Sequence, residues 1–164
     1  MRSGAIALLV SGLCLSSATQ AACVEESPSY MQLSGDNALD SRTQLVWKRC
    51  LLGTSWSANT KRCEGTAKGF SQEEANQALS QLAEGWRLPT GFELETLLVD
   101  SCSGLKIDQQ VFPNVGDADF GEGAKVWTNT VAFPEMFYLI NFTFGDLDMH
   151  SSGFGLGVLL VKDA

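Results

Sequence analysis

The sequence predicts an α+β domain in which two helices lie beside a mainly antiparallel sheet that brings the N- and C-terminal strands together. Three observations carry this expectation. Residues 71–84 place Ala75, Ala78, Leu79 and Leu82 at i, i+3, i+4 and i+7, one apolar helix face opposite Gln72, Glu73, Asn76, Gln77 and Gln81. Residues 85–94, Gly-Trp-Arg-Leu-Pro-Thr-Gly-Phe-Glu-Leu, read as a joint between that helix and a second one. Segments rich in Val, Ile, Phe, Tyr and Trp flank the pair on both sides, at 45–50, 126–130, 136–144 and 158–161.

The chain begins Met1-Arg2-Ser3, continues through an apolar run over 5–15, and offers small residues at Thr19-Gln20-Ala21. This is the pattern of a secretory signal over residues 1–21, cut after Ala21 or Ala22. The run is shorter than the roughly 20 apolar residues a membrane-spanning helix needs, so no transmembrane segment is expected. Gln20-Ala21-Ala22-Cys23 ends like a lipobox without the usual leucine three residues before the cysteine, which keeps an outer-membrane lipoprotein anchored at Cys23 as the rival reading. The remainder, 22–164, is one domain's worth of chain. Losing Arg2 leaves 10 of the 11 basic residues against 19 acidic ones, a net charge near −9. That balance argues against nucleic acid or an anionic membrane as partner.

Four cysteines remain after the signal: Cys23, Cys50, Cys63 and Cys102. An exported protein would pair them in two disulfides, with three possible connectivities. Cys50 with Cys63 closes a short loop, and Cys23 would then staple the N-terminus to Cys102 unless it is lipidated. Without paired C-x-x-C clusters, and with one histidine in the chain, metal ligation is not expected, and no cofactor is implied.

Taken in order, 30–33 is a short strand, 35–37 a turn, 40–44 a second polar turn, and 45–50 a strand completing an N-terminal hairpin. Residues 53–69 are rich in Ser, Thr, Gly, Asn and Lys and read as an exposed loop, with Trp56 folding back as a hydrophobic plug. Ser71 with Glu74 forms a capping box for the first helix, and Thr90 with Glu93 repeats it for the second, over 91–100, which buries Leu94, Leu97 and Leu98. Gly85 supplies a left-handed stop and Pro89 breaks any continuation. Arg87 is expected to be a buried cation bonded to loop carbonyls, planted with Trp86 and Leu88. Beyond Cys102, 116–123 is an acidic, glycine-rich loop, Gly145-Asp146 a turn, 151–157 a Gly/Ser-rich stretch and 158–161 the terminal strand.

The succession Leu45-Val46-Trp47-Lys48-Arg49-Cys50, Trp56, Cys63-Glu64-Gly65-Thr66-Ala67, Gly85-Trp86-Arg87-Leu88-Pro89-Thr90 with Glu93-Leu94, Ile107-Asp108, Phe112-Pro113-Asn114, Trp127-Thr128 and Val158-Leu159-Leu160-Val161-Lys162 resembles the Lcl C-terminal domain family over residues 40–162. This is a family of exported bacterial proteins, most of unassigned function. The resemblance implies a C-type-lectin-like fold related to that of the formylglycine-generating enzymes, which carry a similar Arg-Leu-Pro-Thr stretch before a helix. The chain departs from the family pattern at Gln44, where glycine is usual, and at Leu159, where arginine is common. The lectin calcium segments Glu-Pro-Asn and Trp-Asn-Asp have no match in Pro134-Glu135-Met136 or Trp127-Thr128-Asn129, and no cysteine follows Cys102, so neither calcium-dependent sugar binding nor thiol oxidation is carried over.

Candidate functional residues cluster late in the chain. Asp117, Asp119 and Glu122 suggest a cation loop, but an EF-hand would need a bidentate Glu where Thr128 stands. Asp146 and Asp148, two apart on a strand, share a face and could act as acid and base, with Glu135 a further carboxylate. His150 beside Ser151 and Ser152 lacks a nucleophile elbow. The expected function is therefore a non-enzymatic, secreted or periplasmic binding module whose loops over 117–157 recognise a protein or glycan at the bacterial envelope. An immunity or inhibitor protein against a wall-degrading toxin is its more specific form. An envelope polysaccharide or peptidoglycan hydrolase and a lipid-anchored surface adhesin are the alternatives.

Overall fold

A computed structural model describes residues 29–83, 85–101 and 104–164. The signal segment, Cys23 and Cys102 therefore lie outside the described residues, as does the expected staple between those two cysteines.

Strands β1 (Met31–Ser34), β2 (Asn37–Asp40) and β3 (Leu45–Lys48) form an antiparallel meander. The last strand of the chain, β9 (Val161–Asp163), pairs with β3 in the register Trp47 to Val161. The two ends of the chain thus share a four-stranded sheet, as expected. Strand β2 was not expected, because Asn37 and Asp40 look like turn residues. Asp40 is nevertheless completely buried as the strand's last residue. It accepts from the Arg42 backbone N–H at 2.8 Å and from its guanidinium at 2.7 and 3.1 Å, which satisfies the carboxylate away from water.

The loop expected over 53–69 contains a small hairpin, β4 (Ser55–Ser57) with β5 (Arg62–Glu64). The Cys50–Cys63 disulfide ties it to the end of β3. A loop of this length contributes about 3 kcal/mol in the chain-entropy account. Trp56 is not a plug in the apolar core: its ring lies 3.8 Å from the Arg49 guanidinium, as a lid over a cation.

Helix α1 (Gln72–Leu79) starts at the expected Ser71/Glu74 capping box but is shorter than 71–84. Ala75 is fully buried, while Leu82 is 41% exposed. The final turn has no core to hold it and opens into i→i+3 bonds from Gln81 and Leu82. Gly85, at φ +90°, makes the chain reversal rather than capping the helix directly. Helix α2 (Gly91–Glu95) is likewise shorter than 91–100, since Leu97 and Leu98 continue in turns.

A second sheet, β6 (Lys125–Phe133), β7 (Met136–Asn141) and β8 (Asp146–Ser151), is antiparallel in sequence order. Strand β7 ends before the expected Phe144 because Gly145 N–H returns to the Asn141 carbonyl at 2.7 Å. Among the described residues the β-strands thus form three separate antiparallel sheets rather than one.

The sheets meet at residues 156–161. Leu156, Val158 and Leu160 enter one core cluster with Phe70, Ala75, Leu88, Trp127 and Leu139. Leu159 and Val161 enter the other, with Trp47, Leu94, Phe112, Val126 and Ile140. From 158 to 161 the alternation has the period of a strand, so one extended segment feeds two cores. Its close approach to Ala118 and to β6 needs Gly157, where a Cβ would lie 2.6 Å from Ala118 Cβ and 3.1 Å from the Lys125 carbonyl oxygen. Leu159, at the position where the family commonly has arginine, is completely buried.

The turn between β2 and β3 forms even though Gln44 replaces the usual glycine. Gln44 takes φ +59°, donates its N–H to the Asp40 carbonyl at 2.9 Å, and holds the Ser41 carbonyl with Nε2. A left-handed non-glycine residue costs about 1 kcal/mol or more, and that side-chain bond offsets only part of it. Gln44→Gly is expected to raise stability by roughly 0.5–1 kcal/mol, read as a higher urea midpoint at unchanged slope.

Candidate functional site

Lys125 is where the acidic candidates meet. It begins β6 with its side chain 10% exposed, and its ammonium lies 2.9 Å from Glu122 and 3.1 Å from Asp148. The hydrogen bond that Lys125 donates to Glu122, then the one it donates to Asp148, raises its pKa against the cost of burial. Asp148 is held below the usual carboxylate range by the Met149 N–H at 2.8 Å and by Lys125. The structure therefore joins Glu122 and Asp148 through a cation, a link the sequence did not reveal because Lys125 looks like an ordinary strand terminus.

The other members of the acidic loop behave differently. Asp117 is exposed in a single 3-10 turn, Val115–Ala118. Asp119 Oδ1 accepts the N–H groups of Gly121 and Gly123, both at 2.9 Å, and those bonds lower its pKa. The carboxylate is thereby spent on shaping its own loop, and an oxygen already filled by two donors is poorly placed to face a cation. Among the described residues no group of three or more His, Cys, Asp or Glu side chains is arranged to hold a metal ion.

Asp146, Asp148 and His150 share one side of β8, as their spacing requires. His150 stacks on Phe154 with 3.8 Å between ring centroids, and its Nδ1 accepts the Ser151 N–H at 2.9 Å. That acceptor role places the proton of the neutral ring on Nε2. Glu135, in the β6–β7 turn, accepts from the Ser152 hydroxyl at 3.0 Å. Asn141, in an apparent glycosylation triplet, is buried with its side-chain oxygen on the Thr143 N–H.

At the helix joint, Arg87 and Glu93 form a bidentate pair at 2.7 and 2.8 Å. The same Glu93 carboxylate accepts the Thr90 N–H at 2.7 Å, while Thr90 Oγ1 accepts from Glu93 N–H, completing the capping box. Arg87 is not a buried cation bonded chiefly to carbonyls: its side chain is 36% exposed and its main partner is a carboxylate. Trp86 lies beside the ammonium groups of Lys48 and Lys162, 4.6 and 5.0 Å from its ring centroid. The role expected of Arg87 belongs to Arg49. That residue is 7% exposed and donates to the carbonyls of Val111, Gly35 and Gln110 at 2.9 to 3.1 Å. Its place directly before Cys50 was visible in the sequence, but three carbonyl partners from distant loops were not.

Apolar side chains are exposed at the C-terminal hairpins: Val131 58%, Phe133 60%, Phe144 70%, Leu147 56% and Met149 37%, with Phe92 of α2 at 85%. A shallow cleft of about 310 Å³ opens at Phe144, lined also by Leu98, Val99, Asp100, Lys106 and Gly145.

Arg87, then the Thr90 cap, carries Glu93 from 4.5 down to about 2. A depressed carboxylate stabilises the fold above its unfolded pKa, and that contribution is lost as pH falls from about 4.5 through about 2. Glu93→Gln is expected to flatten the stability profile across that window, and Arg87→Ala to cost on the order of 2 kcal/mol at neutral pH, both read by urea denaturation. Lys125→Ala leaves two carboxylates facing each other and is expected to cost about 1–3 kcal/mol, with faster amide exchange at Gly121 and Gly123.

A family model described as the Lcl C-terminal domain matches residues 37–162. No curated protein matches the chain. The match spans β2 and β3, the start of β9 that pairs with β3, the Arg87–Glu93 joint and the C-terminal hairpins, so the chain belongs to the Lcl C-terminal domain family.

Proposed function

We propose that this protein is a non-enzymatic binding module of the bacterial envelope, secreted or periplasmic, with a C-type-lectin-like arrangement of its helices and sheets. The observation that carries the reading is the set of exposed apolar side chains on the β6–β8 hairpins, Val131, Phe133, Phe144, Leu147 and Met149. Large apolar groups presented by the hairpins and turns of a stapled scaffold suit recognition, because burying them against a partner is favourable while the scaffold limits the ordering cost. The Cys50–Cys63 disulfide fits an oxidising compartment. Among the described residues no helix is long and apolar enough to cross a membrane.

The polar candidates support the same reading. A glycosidase acid needs a carboxyl held protonated by a raised pKa. Asp148 and Asp119 are instead lowered by the groups they accept from, and Glu135 is joined to Ser152. These carboxylates serve the fold, which weighs against an envelope hydrolase. The chain's net charge of −8 suits a basic partner, the form an inhibitor of a wall-degrading toxin would take.

Affinity capture from envelope extract, with the purified protein as bait, tests the reading together with a peptidoglycan turnover assay. Retention of a defined envelope protein or glycan without turnover is expected. Turnover that disappears in Asp146→Asn or Asp148→Asn would overturn it.

A further inference from the structure

We propose that the side of the β6–β8 sheet that α2 leaves uncovered docks a cationic protein segment carrying apolar side chains; the inference rests on the binding-module reading and locates its surface. Residues paired across neighbouring strands project to the same face. Ile140 is 1% exposed, shares a core cluster with Leu94 of α2 and Leu97 of the turn after it, and pairs with Leu147 on β8. Leu147, one strand further out, is 56% exposed. Two residues along, Tyr138 pairs with Met149, itself 37% exposed. The apolar face therefore continues past the five-residue helix. Phe92 of α2, the helix that packs on this sheet, and Phe144 of the β7–β8 turn are 85% and 70% exposed.

The mode of docking follows from the edge of β8. The Met149 N–H is taken by Asp148 Oδ1 at 2.8 Å and the Ser151 N–H by His150 Nδ1 at 2.9 Å. With those two donors occupied by the strand's own side chains, an added β-strand would meet an interrupted ladder. The partner packs on the face instead.

Charge selects the partner. Glu95 of α2 and Asp100, which lines the cleft with Phe144, are exposed beside this face. Lys106, in the adjoining cleft, directs its ammonium to the Ser101 carbonyl at 2.8 Å, and Lys125 is held between Glu122 and Asp148. A second copy of this acidic chain would bring like charge to the same rim, whereas lysines or arginines beside apolar groups complement it.

A short amphipathic helical peptide of leucine and lysine, and its leucine–glutamate counterpart, are the probes. They are titrated into the purified protein and followed by amide chemical shifts. The leucine–lysine peptide is expected to shift Phe92, Tyr138, Leu147 and Met149, to bind more weakly as salt rises, and to lose about tenfold in affinity with Leu147→Ser plus Met149→Ser, as for a central apolar anchor. The leucine–glutamate peptide is expected not to bind. No binding of the leucine–lysine peptide, shifts centred elsewhere, equal binding of both peptides, or unchanged affinity in the double variant would overturn the proposal. So would a dimer in sedimentation that the double variant abolishes, which would assign the face to a second copy. If wild type and double variant capture the same envelope partner, this surface is wrong while the binding-module reading stands. Peptidoglycan turnover by both would end that reading itself.

Discussion

The structure depends on satisfying one buried segment. Residues 156–161 run through the middle of the domain, and an extended chain there must pair its backbone groups or leave them costly and unbonded. Leu156 exchanges both bonds with Phe70, Val158 accepts from Leu52, and Leu160 accepts from Lys48. Gly157 bonds Lys125 and Trp127, and Val161 exchanges both bonds with Arg87. Parts of the chain that are far apart in sequence are thereby fixed against one short strip. Its side chains do the same for packing, because alternate residues enter opposite cores. At Gly69 and Gly155 two backbones touch so closely that a Cβ on Gly69 would lie 2.6 Å from Gly155.

Around this strip, cations act as internal fasteners. Arg49 gathers three carbonyls under the Trp56 ring and so ties the disulfide hairpin to the loop ending at Val111. Arg87 binds the carboxylate that caps α2, joining the segment paired to Val161 with the helix that covers β6 and β7. Lys125 draws the acidic loop and β8 together. Each is more than half buried and works through short, charge-assisted bonds, the setting in which such contacts hold most strongly. With these positive groups turned inward, much of the excess negative charge is left at the surface, where it can steer a partner.

The second sheet has two different sides. One carries Asp148 against Lys125 and His150 against Phe154, polar and aromatic contacts that close on themselves. The other carries the apolar row that α2 covers over Ile140 and leaves open at Leu147. An edge strand with apolar side chains facing out is a hazard unless something covers it or its edge is blunted. Here Asp148 and His150 contribute to the blunting, because their side chains occupy the Met149 and Ser151 N–H groups. These residues, which sequence alone marks as candidate chemistry, serve to keep the strand from pairing indiscriminately while its face stays open.

What the sequence determined by itself were the features encoded locally. The capping boxes at Ser71 and Thr90, the glycine reversal at Gly85, the strands at 45–48 and 136–141, and the Cys50–Cys63 loop follow from residue types at short fixed spacings. Motifs spread over 40–162 were enough to place the chain in its family. Tertiary structure alone decided how long each helix runs: Leu82 in the last turn of 71–84 is left exposed, whereas Leu97 is buried from a turn beyond α2 rather than from a continued helix. It also decided that Asp40 and Asn37 join a strand, that Arg49 rather than Arg87 is the buried carbonyl clamp, and that Glu122 meets Asp148 through Lys125. Each of these turns on burial or on partners dozens of residues away, and neither quantity is carried by neighbours along the chain.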